Sequence, residues 1–354
     1  MKALILAGGF ATRLRPLSCS RPKTLFPIVN KPLLQWIFER LASDGVDEAI
    51  LAVNALTQFY IRQQKTKKYG LKIRYSIDPP KKPLGTGGPI KKAEKLLGHD
   101  EPFIVLNGDI FAEIDYKKLV DAHVRNKALV TIALTEVENP SSFGVVELNG
   151  EKIKRFVEKP PRGEAPSKFI NAGAYVLSPD VFSYIPEGRA VSIEREVFPK
   201  IADAGKLYGC HISGLWMDIG KPQEYLQANK TILNSIKCQQ KVNPSDFEVK
   251  APVAIDKGVS IGEKSVIGPY AILGKNVRVG KNVTITNSVI FPDAEIGDSV
   301  SLCGVVIGEG AYIGKNATLG EGCIIADQVK IKEKVHMRDG SMVCPAKEIS
   351  ENIL

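Results

Sequence analysis

Four cations, Arg13, Arg15, Arg21 and Lys23, stand within eleven positions near the start of the chain, with Pro16 and Pro22 set among them. Prolines stiffen a loop, so these charges are held in place around whatever the loop admits. Just upstream, the apolar run Lys2-Ala3-Leu4-Ile5-Leu6 stops at Ala7-Gly8-Gly9. Glycines there remove the Cβ atoms that would keep a ligand from the backbone and permit a sharp exit from a strand. N–H groups in such a turn make a cradle for phosphate oxygens. The combination reads as a polyphosphate site. It is neither a Gly-x-Gly-x-x-Gly fingerprint nor a Walker A loop, because no Gly-Lys-Ser/Thr follows.

Other stretches carry chemistry of a complementary kind. Asp109 closes Asn107-Gly108-Asp109 after an apolar run, and Asp218 sits in Trp216-Met217-Asp218-Ile219-Gly220. Carboxylates are hard oxygen ligands suited to Mg²⁺, although a single aspartate at a strand end also serves as a cap or turn former. Val157-Glu158-Lys159-Pro160 offers a point charge for a phosphate beside a hydrogen-bond acceptor, or an ordinary surface ion pair. Leu84-Gly85-Thr86-Gly87-Gly88 is a glycine-rich helix entrance.

The string Leu6-Ala7-Gly8-Gly9-Phe10-Ala11-Thr12-Arg13-Leu14-Arg15-Pro16-Leu17, followed by Arg21-Pro22-Lys23, resembles the opening of the sugar-1-phosphate nucleotidyltransferases. Their pattern is Gly-Gly-x-Gly-Thr-Arg-Leu and then Pro-Lys. Ala11 departs from it, standing where the family has glycine, and a backbone with φ > 0 there would resist a Cβ. The resemblance runs nearly the full length. It implies an enzyme that takes an NTP and a sugar 1-phosphate to an NDP-sugar and pyrophosphate. In-line attack on the α-phosphorus would be stabilised by fixed cations and Mg²⁺, with no covalent intermediate.

Residue by residue, the resemblance implies Arg13 and Lys23 as catalytic groups on the triphosphate, with Arg15 and Arg21 open between substrate contact and bracing of the loop. Leu6, Ala7, Gly8 and Gly9 would line the nucleotide together with Gly85, Thr86, Gly87 and Gly88, whose backbone would lie against the base. Asp109 and Asp218 would hold the metal. Glu158, Lys159, Asn171 in Ile170-Asn171-Ala172-Gly173, and Gly144 after Phe143 would take the sugar phosphate. The run Ser192 to Pro199, the Trp216-to-Gly220 stretch with Pro222 and the C-terminal tail are most similar to mannose-1-phosphate guanylyltransferases. That implies GTP and mannose 1-phosphate as substrates and GDP-mannose as product. Thymidylyl-, uridylyl- and adenylyltransferases of glucose 1-phosphate share most of these motifs and stay open, as does a catalytically silent subunit that senses nucleotide sugars.

The elements that must position these residues alternate. Leu33 to Ser43 has a helical apolar period stopped by Gly45, Ala49 to Val53 reads as a strand, Thr57 to Lys68 as a polar helix and Leu71 to Tyr75 as a strand. Ile90 to Leu97 is a helix, and Phe103 to Leu106, Val130 to Leu134 and Val145 to Leu148 are further strands. Alternation of this kind implies βαβ units in a mixed, mostly parallel sheet flanked by helices, a Rossmann-like α/β fold, with ligands beyond the carboxyl ends of the strands. From Val249 the texture becomes a six-residue repeat, as in Ile261-Gly262-Glu263-Lys264-Ser265-Val266 and Ile267-Gly268-Pro269-Tyr270-Ala271-Ile272, interrupted and resuming at Ile296-Gly297, Ile307-Gly308, Ile313-Gly314 and Leu319-Gly320. One inward aliphatic residue per flat side suits a left-handed parallel β-helix of stacked coils. The expected domains are 1–234 catalytic, 235–248 linker and 249–354 β-helix.

Composition narrows the remaining classes. With 354 residues, 44% apolar and 25% charged, the chain is that of an ordinary soluble protein. Its net charge of +9 is spread along the chain without a basic run interleaved with aromatics, so no nucleic-acid partner is expected. Six scattered cysteines without Cys-x-x-Cys speak against zinc and disulfides and for a reducing cytoplasm. No run is long enough for a signal segment or a membrane span. A hexapeptide-repeat acyltransferase needs a histidine projecting from a coil, and the tail holds only His336 near its end. The tail is therefore expected to drive homo-oligomer assembly.

Overall fold

The computed structural model describes residues 1–9, 11–63, 69–79, 83–236 and 246–353. The end of the expected Thr57–Lys68 helix and the middle of the expected 235–248 linker lie outside the described residues. The chain separates into two compact units, one formed by Met1–Gly9 and Leu34–Met217, the other by Phe10–Leu33 and Asp218–Leu354. That division is drawn elsewhere than the sequence-based 1–234 and 249–354. Phe26 from the basic loop and Tyr225 from the helix Pro222–Ser235 pack edge-on against each other and against Phe291 of the repeat, with ring centroids 5.8 to 6.3 Å apart.

The first unit is built on nine strands: β1 (Lys2–Leu6), β2 (Glu48–Val53), β3 (Lys72–Ile77), β4 (Phe103–Asn107), β5 (Val130–Glu136), β6 (Gly144–Asn149), β7 (Lys152–Glu158), β8 (Phe169–Leu177) and β9 (Leu207–His211). Their order is β3-β2-β1-β4-β8-β5-β9-β7-β6. The four at one side, β3, β2, β1 and β4, pair in parallel, while β8 runs antiparallel to both β4 and β5. β2 is buried along its whole length and β1 and β4 along most of theirs, as expected of strands covered on both faces. The helix α1 (Leu33–Ser43) spans the residues its period foretold, and α2 (Ala55–Gln63) starts two residues before the expected Thr57. Asn54 caps α2, its Oδ1 accepting from the Thr57 N–H at 2.8 Å. The expected helix over 90–97 is broken at Ala93 into Gly88–Lys92 and Glu94–Leu97.

The second unit carries a left-handed parallel β-helix whose three sheets each hold six short parallel strands. Aliphatic residues stack directly from coil to coil, as in Ile267 on Ile285 and Leu273 on Ile290 on Ile307 on Ile325. The apparent interruption of the repeat is no interruption in structure. Strands Thr284–Thr286 and Ser288–Ile290 occupy the lattice there, with Phe291 where the Ile-Gly hexads have glycine.

Inside the first unit His123 is almost wholly buried, 2% exposed. Its Nδ1 lies 3.1 Å from Thr131 Oγ1 and its Nε2 2.9 Å from Ser178 Oγ. Burial lowers its pKa to about 4. The unfolded chain takes up this proton near pH 6.5, so the neutral ring contributes stability that is full above that pH and is lost as pH falls toward about 4. Urea unfolding at pH 7 and pH 5 is expected to show a loss of up to roughly 1.4 kcal/mol per pH unit from this group, absent in His123→Gln. An NMR titration placing His123 near its free value would overturn it.

Candidate functional site

Polar groups collect where parallel strands end. Gly8 and Gly9 follow β1, Asn54 follows β2, Asp78 follows β3, and Gly108-Asp109 follow β4. Backbone bonds tie these ends together: the Ala7 N–H donates to the Ala52 carbonyl and the Gly108 N–H to the Leu6 carbonyl, at 2.8 and 2.9 Å. The Asn54 side-chain amide donates to the Gly8 carbonyl at 3.1 Å. An ideal Cβ on Gly8 would lie 2.9 Å from Asp78 Oδ2, whereas no described residue beyond its chain neighbours stands within 4 Å of one on Gly9. The space opened at Gly8 is thus taken by a carboxylate, and Gly9 is the open, exposed floor. Asp78 Oδ1 is buried with no hydrogen-bond partner among the described residues. Burial holds its carboxyl above the ordinary range, and Lys92 pulls it partly back.

The other expected nucleotide residues serve packing first. Gly85 has φ +71 and bridges to Val191, with its missing Cβ position filled by the Val191 carbonyl. The Gly87 N–H donates to that carbonyl at 2.8 Å. A Cβ on Gly88 would lie 2.8 Å from the Leu84 side chain. At all three the Cβ position is already taken, so these glycines are small because Val191 and Leu84 are close. Thr86 Oγ1 donates to Glu194 at 2.5 Å and accepts from the Ile193 N–H at 3.0 Å, so it too holds this segment to 191–194.

Around the expected sugar-phosphate residues, the Glu158 carboxyl rises above its usual range, first by burial and then by the like charge of Glu194, against the pull of Lys159 and Arg195. Lys159 is exposed, adopts φ +51 and stands 3.7 Å from Glu158. Gly144 leaves the room that the Phe156 ring and Glu158 occupy. The Asn171 amide donates to the Tyr175 hydroxyl and accepts from the Gly173 N–H, each at 2.8 Å. Asn171 therefore fixes the bulge in β8 and keeps one amide hydrogen in hand.

In the second unit the basic loop folds into three short 3₁₀ turns, Thr12–Leu14, Leu17–Cys19 and Lys23–Leu25. Arg13 and Arg15 are exposed, whereas Arg21 and Lys23 are buried. Lys23 Nζ approaches Asp218 Oδ1 at 3.5 Å. A Cβ on Gly220 would lie 3.1 Å from both Arg13 Nη2 and Asp218 Oδ2. Arg13 and Asp218 thus flank Gly220, and Lys23 reaches the same carboxylate from its other oxygen. Arg21 points elsewhere: its Nη2 contacts Glu309 at 2.6 Å and Asp327 at 2.7 Å. Burial works to lower its pKa, but the two carboxylates outweigh burial and raise it. The open question of Arg21 resolves to bracing.

Among the described residues no group of three or more His, Cys, Asp or Glu gathers around one point. Asp109 and Asp218 are both half-buried hard donors. Each is a ligand of the kind Mg²⁺ takes, one or two carboxylates with its other positions left to water and phosphate.

Residues 2–235 match the family described as nucleotidyl transferase, and residues 249–354 the family described as GMPPB C-terminal domain. The chain belongs to the nucleotidyl transferase family. Similar relatives include the mannose-1-phosphate guanyltransferase of Yarrowia lipolytica, 42% identical over 69% of this chain and 66% of its own. The enzyme of that name from Aspergillus oryzae is 40% identical over 74% of each chain. Among solved structures, HddC from Yersinia pseudotuberculosis complexed with GMP-PN aligns with TM-score 0.55 and 30% identity, covering 65% of this chain and 99% of that one. Asn54 and Asp78 were missed in this nucleotidyl transferase by sequence reasoning. The signal available was their place at the carboxyl ends of predicted parallel strands.

Ala11, where the family pattern has glycine, sits at φ 44 and ψ 44. A Cβ in this left-handed conformation costs about 1 kcal/mol. Its carbonyl accepts from Ser18 Oγ at 2.8 Å, which holds the strained turn closed. Ala11→Gly is expected to leave the melting temperature unchanged or raise it by a few degrees, read by calorimetry, because relief of strain opposes added unfolded-state freedom. A marked fall would show that the turn is not strained.

Proposed function

We propose that the chain joins GTP and mannose 1-phosphate to give GDP-mannose and pyrophosphate. An oxygen of the sugar phosphate attacks the α-phosphorus in line, a new P–O bond forms, and the bond to the β-phosphate oxygen breaks as pyrophosphate leaves. Arg13 and Lys23 hold the triphosphate and meet the charge that develops on its equatorial oxygens. Lys159 takes the sugar phosphate, while Glu158 and Asn171 offer hydrogen bonds to sugar hydroxyls. Gly9 and the neighbouring main chain of 6–8, with the 85–88 segment, form the nucleotide side. Asp109 and Asp218 would hold Mg²⁺, which when bound neutralises phosphate charge.

The observation that carries the class is the meeting of Arg13 and Asp218 at Gly220, with Lys23 3.5 Å from Asp218, in a chain of this family. The choice of guanine has a separate support. Asp78 is an acceptor-only carboxylate packed on Gly8, and guanine presents two adjacent donors, N1–H and N2–H, on one edge. Uracil and thymine present only one. The relatives named mannose-1-phosphate guanyltransferase point the same way.

The five described cysteines are all free, which supports a cytoplasmic home; no described helix is long and apolar enough to cross a membrane. The open ends of the β-helix remain our choice for self-association.

A pyrophosphate-release assay with Mg²⁺ and paired NTP and sugar 1-phosphate panels tests the reading. GTP with mannose 1-phosphate is expected to be fastest, and Lys23→Ala to lower kcat by about 100-fold or more. Asp78→Leu is expected to cost about 10- to 100-fold in kcat/KM for GTP and to erase the preference for GTP over inosine triphosphate, which lacks the N2 amino group. A GTP preference retained in Asp78→Leu would refute the base assignment alone.

A further inference from the structure

The basic loop is held along one edge of the β-helix by groups from successive coils. Asn30 Nδ2 donates to the Leu273 carbonyl at 2.9 Å. One coil on, Phe291 presents its ring to the Arg21 guanidinium, 4.9 Å from the centroid. The next two coils supply Glu309 and Asp327, at 2.6 and 2.7 Å from Arg21 Nη2, and Ser20 Oγ donates to Asp327 Oδ2 at 2.6 Å. Leu273, Ile290, Ile307 and Ile325 are stacked in register, so these groups follow one corner of the coil.

Asp327 has two duties that separate by atom. Its Oδ1 accepts from the Glu309 N–H at 2.7 Å and so closes the turn of the coil above. Asp339 does the same for the Glu321 N–H at 2.9 Å, and Asp298 for Lys281 at 2.9 Å. That capping is a repeated structural device. Only at Asp327, among these three, does the second oxygen reach the loop, where two residues beyond Arg21 stands Lys23. Arg21 is 8% exposed, and a charge-assisted contact in such a setting fixes geometry as well as adding energy.

We infer that Asp327 and Glu309 are positioning residues for nucleotidyl transfer, acting through Arg21 to hold Pro22 and Lys23 where the triphosphate is gripped. The β-helix is then part of the catalytic apparatus as well as a stack for assembly. This rests on the reading of Lys23 as a phosphate-gripping cation.

The test is steady-state pyrophosphate release by the full-length chain, with thermal melts alongside. Asp327→Asn leaves one oxygen for the coil turn and replaces the other by an amide donor facing Arg21. It is expected to lower kcat about 10- to 100-fold with a much smaller change in KM, as small misplacements of a reacting group do. Asp339→Asn perturbs an equivalent turn cap away from the loop and is expected to keep wild-type kcat at a similar melting temperature. Arg21→Met with Asp327→Asn is expected to be no slower than Arg21→Met alone, because both act through one contact. Glu309→Gln, at a more exposed position, should shift kcat in the same direction should Asp327→Asn fold poorly. Wild-type kcat in Asp327→Asn or, where that variant does not fold, in Glu309→Gln overturns the inference, as does an equal kcat loss in Asp339→Asn. Lys23→Ala separates the two claims: full turnover there refutes the reading beneath, while lost turnover beside an unaffected Asp327→Asn refutes the bracing alone.

Discussion

Parallel pairing dictates where chemistry can stand in the first unit. Strands β1, β2 and β4 are sealed on both faces, so their interiors admit almost nothing but aliphatic side chains. Because they run the same way, their carboxyl ends open on one edge, and polar side chains excluded from the strands collect there. Gly8, Asn54, Asp78 and Asp109 are neighbours for that reason, though up to a hundred residues separate them in the chain. Asn54 shows how economical the edge is: one amide caps a helix through its oxygen and steadies the Gly8 carbonyl through its nitrogen.

The second unit achieves rigidity by a different route. Its coils are interchangeable wherever Ile-Gly recurs, since the inward residue packs and glycine lets the next turn approach closely. The basic loop attaches where that monotony breaks. Phe291 replaces a corner glycine and becomes a platform for Phe26, Tyr225 and Arg21. Asp327, beside Ala326 where other hexads have glycine, turns its spare oxygen outward to Ser20 and Arg21.

Much of this was legible from the chain alone. Helix α1, the buried strands and the six-residue period are local patterns, and the physics that sets them acts within a few residues. The sequence motifs also single out stretches that lie side by side: Arg13 and Asp218 flank Gly220, and Lys23 lies beside Asp218. Long-range facts were not legible. That Val191, about a hundred residues away, sits against the Cβ side of Gly85 and Gly87 is nowhere written in the glycine-rich stretch itself. Arg21 could not be told from its neighbours, because its partners Glu309 and Asp327 are 288 and 306 residues distant. The lattice across 284–291 was invisible because Thr286 and Phe291 do not look like glycine.

The edge that carries Leu273, Phe291, Glu309 and Asp327 also restricts how the repeat can grow. An extra coil inserted within 273–327 would keep every aliphatic layer satisfied, yet slide the downstream acids by about 4.8 Å, one strand spacing. Arg21 would then face the wrong rung. The length of the ladder between Leu273 and Asp327 is thus set from outside it, by the spacing of the loop groups that its rungs must meet.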